Sequence, residues 1–209
     1  MSGLLRPGKI VCVGRNYGAH VAELGHERPP EPLLFLKPPS AVIGPGDPIV
    51  LPRLPPQLSR VDYEGELVAI VGRRLRHASP EAALQGVDGY TCGNDVTARD
   101  IQNAEDQWTR AKGFDSFCPL GPEPVRLEPS DLLITTRVNG ESRQSARTGD
   151  MLVGVGELLS YISRCMTLEP GDAVFTGTPA GVGPLHDGDV VEVEIEGIGV
   201  LSNPVRAES

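Results

Sequence analysis

Three carboxylates spaced two apart are the first residues in this chain whose types and spacing suggest chemistry. In "VDYEGELVAIVG" (61–72), Asp62, Glu64 and Glu66 come just before an apolar run at 68–71. On a strand, residues two apart project from one face. Two carboxylates about 6 Å apart repel by roughly 2–3 kcal/mol at an effective dielectric of about 20. Burial adds a desolvation cost. Such a face stays in water, protonates a member, or holds a cation. Asp95, at a turn in "GNDVTARD", offers a third oxygen donor to Glu64 and Glu66. An oxygen-only set without His or Cys suits Mg2+, Mn2+ or Ca2+ better than zinc.

A second constellation is "GRNYGAHVAE", where His20 and Glu23 are three apart. On a helical turn they face the same way. A carboxylate beside an imidazole fixes its tautomer and makes it a better general base for water. The same pair also occurs as an ordinary surface contact. Lysine appears only at positions 9, 37 and 112. Lys112, in "WTRAKGFDSFCPLGP", could hold an anionic substrate or a developing oxyanion; Lys37 reads as a solvated loop lysine. "TGTPAGVG" (176–183) is glycine-rich without the Gly-Lys-Ser/Thr of a phosphate loop. Its backbone N–H groups and Thr178 could bind a carboxylate. No Gly-x-Ser-x-Gly elbow or Cys–His spacing supports a covalent nucleophile.

The elements that must carry these groups are mostly strands. Glycine (25) and proline (20) are abundant in 209 residues and aromatics make up 4%, which favours a turn-rich, mainly β chain. "KIVCVG" reads as a buried strand, residues 33–36 as an edge or connecting strand between prolines, and 15–25 as a short helical turn. In "SPEAALQGVDGY", Ser79 is placed as N-cap and Pro80 at N1 of a helix. "YTCGNDVTARDIQ" runs from strand through a turn to a helix capped near Thr97. Asn139-Gly140 joins two strands in a hairpin. "VGELLSYISRCM" is a helix with Leu158, Leu159, Ile162 and Met166 on one face. The last forty residues read as a meander of strands.

With 19 Lys and Arg against 28 Asp and Glu, the formal net charge is −9. The chain has no basic run or basic helix, which argues against nucleic acid and anionic membrane as partners. No apolar stretch reaches the length of a membrane span, and "MSGLLRPGKI" does not read as a signal peptide. Cys12, Cys92, Cys118 and Cys165 form no Cys-x-x-Cys pair, which fits a cytoplasmic protein whose thiols are ordinary core residues.

In order along the chain, "GRNY" with His20 and Glu23, "FLKP", "DYEGELVAIVG", "NDVTARDIQ", "QWTRAKGFDSFCPLGP", "VNGE" and "LEPGDAVFTGTPAGVGPL" resemble the fumarylacetoacetate hydrolase family. The resemblance implies an α+β, mainly β fold, a mixed β-roll or barrel with a few short helices. It implies one catalytic domain over 1–209, with the lid and N-terminal strands in 1–60, and a homodimer. Glu64, Glu66 and Asp95 would bind a divalent metal, usually Mg2+ or Mn2+, with Ca2+ an alternative in crystals. His20 and Glu23 would form a water-activating dyad on a mobile lid, and Lys112 would support negative charge. Arg15, Gln102 and Thr178 would contact a small oxo-acid substrate, while Asp62 would not be a ligand. The implied reaction is hydrolysis of a C–C bond in a 2,4-dioxo acid of the acylpyruvate type. Isomerisation of a 2-hydroxy-diene-dioate and decarboxylation of an oxo acid are the alternatives, with non-catalytic oxo-acid binding more remote.

Overall fold

The computed structural model describes residues 5–23, 25 and 27–209. The first four residues, on which the reading of the N-terminal start partly rests, lie outside them. Two larger sheets and a small one carry the chain. The largest has seven strands in the order Leu33–Lys37, Ile10–Gly14, Ala173–Phe175, Gly65–Val71, Val87–Asn94, Cys118–Val125, Val42–Ile43. It is mixed, because Ile10–Gly14 runs parallel to Ala173–Phe175 and Val42–Ile43 parallel to Cys118–Val125. A five-stranded sheet orders Glu141–Arg147, Leu133–Val138, Val190–Ile195, Gly199–Ala207 and Ile49–Leu51. The third joins Gly183–Pro184, Val61–Tyr63 and Thr97–Ala98. This is the expected mainly β, mixed architecture.

The alternation of side chains explains how the large sheet curls. Val11, Val13, Leu67, Ala69 and Val71 point to one face and pack against Leu158, Leu159 and Ile162 of the helix Val155–Cys165, and against Ile134, Val193 and Leu201 of the second sheet. Their neighbours Ile10, Cys12, Val68 and Ile70 point to the other face. There they meet Cys118, Leu120 and Phe175 from strands across the same sheet, which gives a half-barrel with an apolar inner face. Burial pushes the Cys118 thiol up to about 12, so it packs as an inert small apolar group. Cys12 and Cys92 are also buried, whereas Cys165 is exposed and departs from the core expectation.

Local signals act as expected at several points. The Ser79 side chain accepts the Ala82 N–H at 3.2 Å and caps the helix Pro80–Leu84. The hairpin turns at Asn139 (φ 53) and Gly140 (φ 81), the left-handed pair that a two-residue turn requires. Leu33–Lys37 is an edge strand. Three further expectations fail. Thr97 caps no helix: it lies in a short strand, and the helix Arg99–Ala104 starts without a side-chain cap. The C-terminal strands are not one meander, since Ala173–Phe175 inserts into the middle of the first sheet, 163 residues along the chain from the residues it pairs with in parallel. Lys37 is not solvated but 2% exposed.

Candidate active site

The strand Gly65–Val71 pairs antiparallel with Val87–Asn94, setting Gly65 opposite Asn94 and Glu66 opposite Gly93. One step further out, the Asp95 N–H donates to the Glu64 carbonyl at 2.8 Å, and the Glu64 N–H to the Asn94 side-chain oxygen at 2.9 Å. Sheet register therefore brings Glu64, Glu66 and Asp95 together. All three are buried, and one oxygen from each lies within 4.8 Å of the others.

Side-chain cations answer most of this negative charge. Lys112 Nζ donates to Glu64 Oε2 (2.9 Å), Asp95 Oδ2 (2.5 Å) and Thr97 Oγ1 (2.7 Å). An ammonium has three N–H groups, so none remains for a substrate oxygen, and any effect of Lys112 on a reacting anion is through space. The same Nζ lies 4.9 Å from the Phe35 ring centroid, and Trp108 meets that ring edge-on at 5.3 Å. Lys37 Nζ takes the other side of Asp95, at 2.6 Å from Oδ1. Arg99 bonds Glu64, donates to Asp62 at 2.9 Å, and also reaches Gln102. Asp62 is consumed by Arg99 and by Arg60 at 2.8 and 3.1 Å, so it is engaged away from the carboxylate cluster. Burial opposes ionisation of Glu64, but Lys112, Arg99 and His20 together hold its carboxyl well below the usual range.

Glu66 is different. Its one hydrogen bond among the described residues comes from the Gly177 N–H, 2.6 Å from Oε2. Burial, with Asp95 and Glu64 beside it, pushes its carboxyl well above the usual range. A buried carboxylate facing two others with no cation of its own is what a bound divalent ion would relieve, and the all-oxygen donor set suits a hard ion. The residues present fit such a metal.

The dyad is assembled on the helix Gly18–Glu23: His20 Nδ1 lies 3.2 Å from Glu23 Oε2, and His20 is buried. The Gly181 N–H donates to both Glu23 oxygens, at 3.0 and 3.2 Å. The glycine-rich loop thus serves both the dyad and, through Gly177, the acidic cluster. Thr178 donates to the Gly65 carbonyl at 3.0 Å and accepts from Gln144 at 2.8 Å. Its hydroxyl is left with one lone pair and no donor for an anion.

A cavity of about 410 Å³ connects these groups. Its wall includes His20, the three acids, Lys112 and the expected contacts Arg15, Gln102 and Thr178. Arg15 makes no side-chain hydrogen bond among the described residues and sits at φ 60. Glu23 lies outside the lining and acts on His20 from behind. Sequence reasoning missed Arg99, Arg60 and the burial of Lys37. The available signal was composition: a chain that prefers arginine kept lysine at only three positions, one of them in "FLKP".

Residues 9–206 match the family described as Fumarylacetoacetate (FAA) hydrolase C-terminal, and the chain belongs to the fumarylacetoacetate hydrolase family. It resembles the crystal structure of a 2-hydroxyhepta-2,4-diene-1,7-dioate isomerase from Mycobacterium marinum, at 48% identity and TM-score 0.90, covering 100% of this chain and 77% of that one. It resembles a fumarylpyruvate hydrolase from Pseudomonas aeruginosa in complex with Mn2+ and pyruvate, at 38% identity and TM-score 0.88, covering 97% and 91%. It is 42% identical to the mitochondrial oxaloacetate tautomerase FAHD2A of Bos taurus over 218 residues, 98% of this chain and 68% of that protein.

Proposed function

We propose that this chain is a divalent-metal-dependent enzyme acting on a small 2-oxo acid, and that it hydrolyses a C–C bond in a 2,4-dioxo acid of the acylpyruvate type. The observation that carries the reading is the pairing, in one cavity, of a carboxylate cluster with an unmatched member, Glu66, and the His20–Glu23 dyad. Glu64, Glu66 and Asp95 would hold Mg2+ or Mn2+; Mn2+ with pyruvate in the hydrolase relative supports this set. A bound ion would supply Lewis-acid stabilisation of negative charge on the oxo acid. Glu23, held by Gly181, keeps the His20 imidazole oriented to take a proton from water. The hydroxide attacks the carbonyl carbon distal to the carboxylate, and the C–C bond breaks with its electron pair passing to the departing oxo acid as an enolate. Lys112 and Arg99 contribute positive charge to that end of the cavity. Arg15 and Gln102 are proposed as substrate contacts, and a single-domain, cytoplasmic homodimer remains the proposed organisation.

A second reading is tautomerisation or isomerisation of a 2-oxo acid. It needs only proton transfers, which the same dyad supplies. The isomerase and tautomerase relatives support it. The test is ultraviolet absorbance of the enol forms of several acylpyruvates, with oxaloacetate beside them, in Mn2+ and in EDTA. Hydrolysis predicts metal-dependent loss of an acylpyruvate with release of pyruvate and the matching acid, and loss of that turnover in His20→Ala with Mn2+ binding kept. Enol–keto interconversion without cleavage products would select the second reading. Silence on every substrate would leave a binding protein, and collapse of Mn2+ binding in His20→Ala would make His20 a ligand or a structural residue.

A further inference from the structure

Gly65 lies between the two glutamates of the acidic cluster, and the second sheet closes on it. Thr136 and Gln144 pair across the strands Leu133–Val138 and Glu141–Arg147, and both are buried. Along Glu141–Arg147, Gln144 alone is buried, so the strand turns one polar side chain inward, toward the site. A Cβ on Gly65 would lie 2.1 Å from Thr136 Oγ1 and 3.3 Å from Gln144 Oε1. Glycine is what lets the two sheets meet here. It is also the residue whose backbone is least restrained, and its flanking peptides set where the Glu64 and Glu66 side chains point.

A closed ring of hydrogen bonds removes that freedom. The Gly65 N–H donates to Gln144 Oε1 at 3.0 Å. Gln144 Nε2 donates to Thr178 Oγ1 at 2.8 Å. The Thr178 hydroxyl donates to the Gly65 carbonyl at 3.0 Å. The second N–H of Gln144 goes to the Pro179 carbonyl at 2.8 Å, so its amide keeps no free donor. The Gly65 N–H belongs to the peptide shared with Glu64, and its carbonyl to the peptide shared with Glu66. The ring therefore holds both peptides, one atom each. A buried polar network whose members are all satisfied is rigid and specifies one geometry.

We infer that Gln144 is a positioning residue for the acidic cluster: with Thr178 it fixes the peptides on either side of Gly65, and so the spacing at which Glu64 and Glu66 meet a divalent ion. The inference rests on reading the cluster as a metal site. It adds that the second sheet, through one glutamine, sets the geometry of that site. It also gives Thr178 a role in holding the backbone rather than the substrate.

The test is calorimetric titration of the metal-free protein with Mn2+, well below the Tm of each variant. Gln144→Met, which keeps the length and loses the amide, and Thr178→Val, which keeps the shape and loses the hydroxyl, are each expected to weaken Mn2+ binding about tenfold or more. Breaking a ring twice costs little more than breaking it once, so the double variant should bind within about twofold of the weaker single one. Thr178→Ser keeps the hydroxyl and should stay within about twofold of wild type. If the methionine variant folds poorly, the valine and serine variants carry the test. Gly140→Ala is the control for general destabilisation. It strains the hairpin turn that leads into Gln144's own strand (φ +81), and should lower Tm with Mn2+ affinity unchanged. Single variants that bind Mn2+ within twofold of wild type overturn the inference and leave the metal reading standing. Additive losses in the double variant overturn it too, and so does equal weakening in Gly140→Ala. Failure of wild type to bind Mn2+ overturns the metal reading, and this inference with it.

Discussion

Glu66 is the residue where the electrostatics of the cavity are least resolved by the protein itself. Desolvation and the neighbouring Asp95 and Glu64 raise its carboxyl pKa, against one N–H from Gly177 and the charge of Lys112. A carboxyl whose folded pKa lies above its unfolded value stabilises the fold at low pH. That contribution is lost as pH rises from the unfolded value through the folded one. The metal-free protein should therefore lose stability on this account as pH is raised above the ordinary carboxylate range. A divalent ion reverses the effect, because it binds the ionised form and must displace the proton at lower pH. The rise in Tm on adding Mn2+ is expected to be larger at pH 8 than at pH 5.5, with proton release on binding at the lower pH. Thermal melts in matched buffers check this, and an equal rise at both pH values would contradict it. Glu64 has the opposite sign. Its lowered pKa, set by Lys112, Arg99 and His20 against burial, gives stability that is present at neutral pH and is lost progressively as pH falls from the ordinary carboxylate range through the lowered value.

At the scale of elements, the loop after Ala173–Phe175 links the two halves of the chemistry. Gly177 reaches Glu66, and Gly181 reaches Glu23. Gly181 sits at φ +101, and a Cβ there would lie 2.1 Å from the Arg143 carbonyl oxygen. Gly181→Ala must move the loop, so the N–H that holds Glu23 is displaced. Turnover is expected to fall by about 10- to 100-fold through misorientation of His20, with Mn2+ affinity preserved. Gly140→Ala is the control. It has φ +81 with nothing within 4 Å of the added carbon, so it should cost about 1–2 kcal/mol of stability and leave turnover unchanged. Equal turnover losses in both would remove the loop's positioning role. The same comparison explains what the sequence made legible. Asn139-Gly140 and Ser79-Pro80 are signals confined to neighbours, and both act as read. Glu64, Glu66 and Asp95 come together for a related reason, because strand register converts their spacing into proximity. Lys37 carries no such signal. Its burial comes from strands Ile10–Gly14 and Leu33–Lys37 pairing, which delivers its ammonium to a carboxylate 58 residues away. Thr97 misled because its hydroxyl serves Lys112 and the Asp95 carbonyl instead of a helix.

Across the whole molecule, the position of Ala173–Phe175 is the feature that local sequence could least convey. Three residues close the sheet between Ile10–Gly14, parallel, and Gly65–Val71, antiparallel. Reading along the chain suggested a meander because neighbouring turns favour hairpins. Burial on both faces favours insertion, since Ala173, Val174 and Phe175 are all fully buried and would each leave apolar surface in water at an edge. Phe175 joins the inner cluster with Cys12, Val68 and Leu120, directly before the loop that serves the site. Its truncation removes a large side chain from a close-packed interior that relaxes only in part. Phe175→Ala is expected to cost about 3–5 kcal/mol, read as a fall in Tm of roughly 6–20 °C for a chain of this size. His20 and Glu23 sit on the helix Gly18–Glu23 and take their orientation from Gly181 rather than from the inner cluster. Turnover at a temperature well below the new Tm should therefore fall far less than in Gly181→Ala. A variant that melts within 2 °C of wild type, by a scale of about 2–4 °C per kcal/mol, would mean that the inner face of the half-barrel is not what holds the central strand in place.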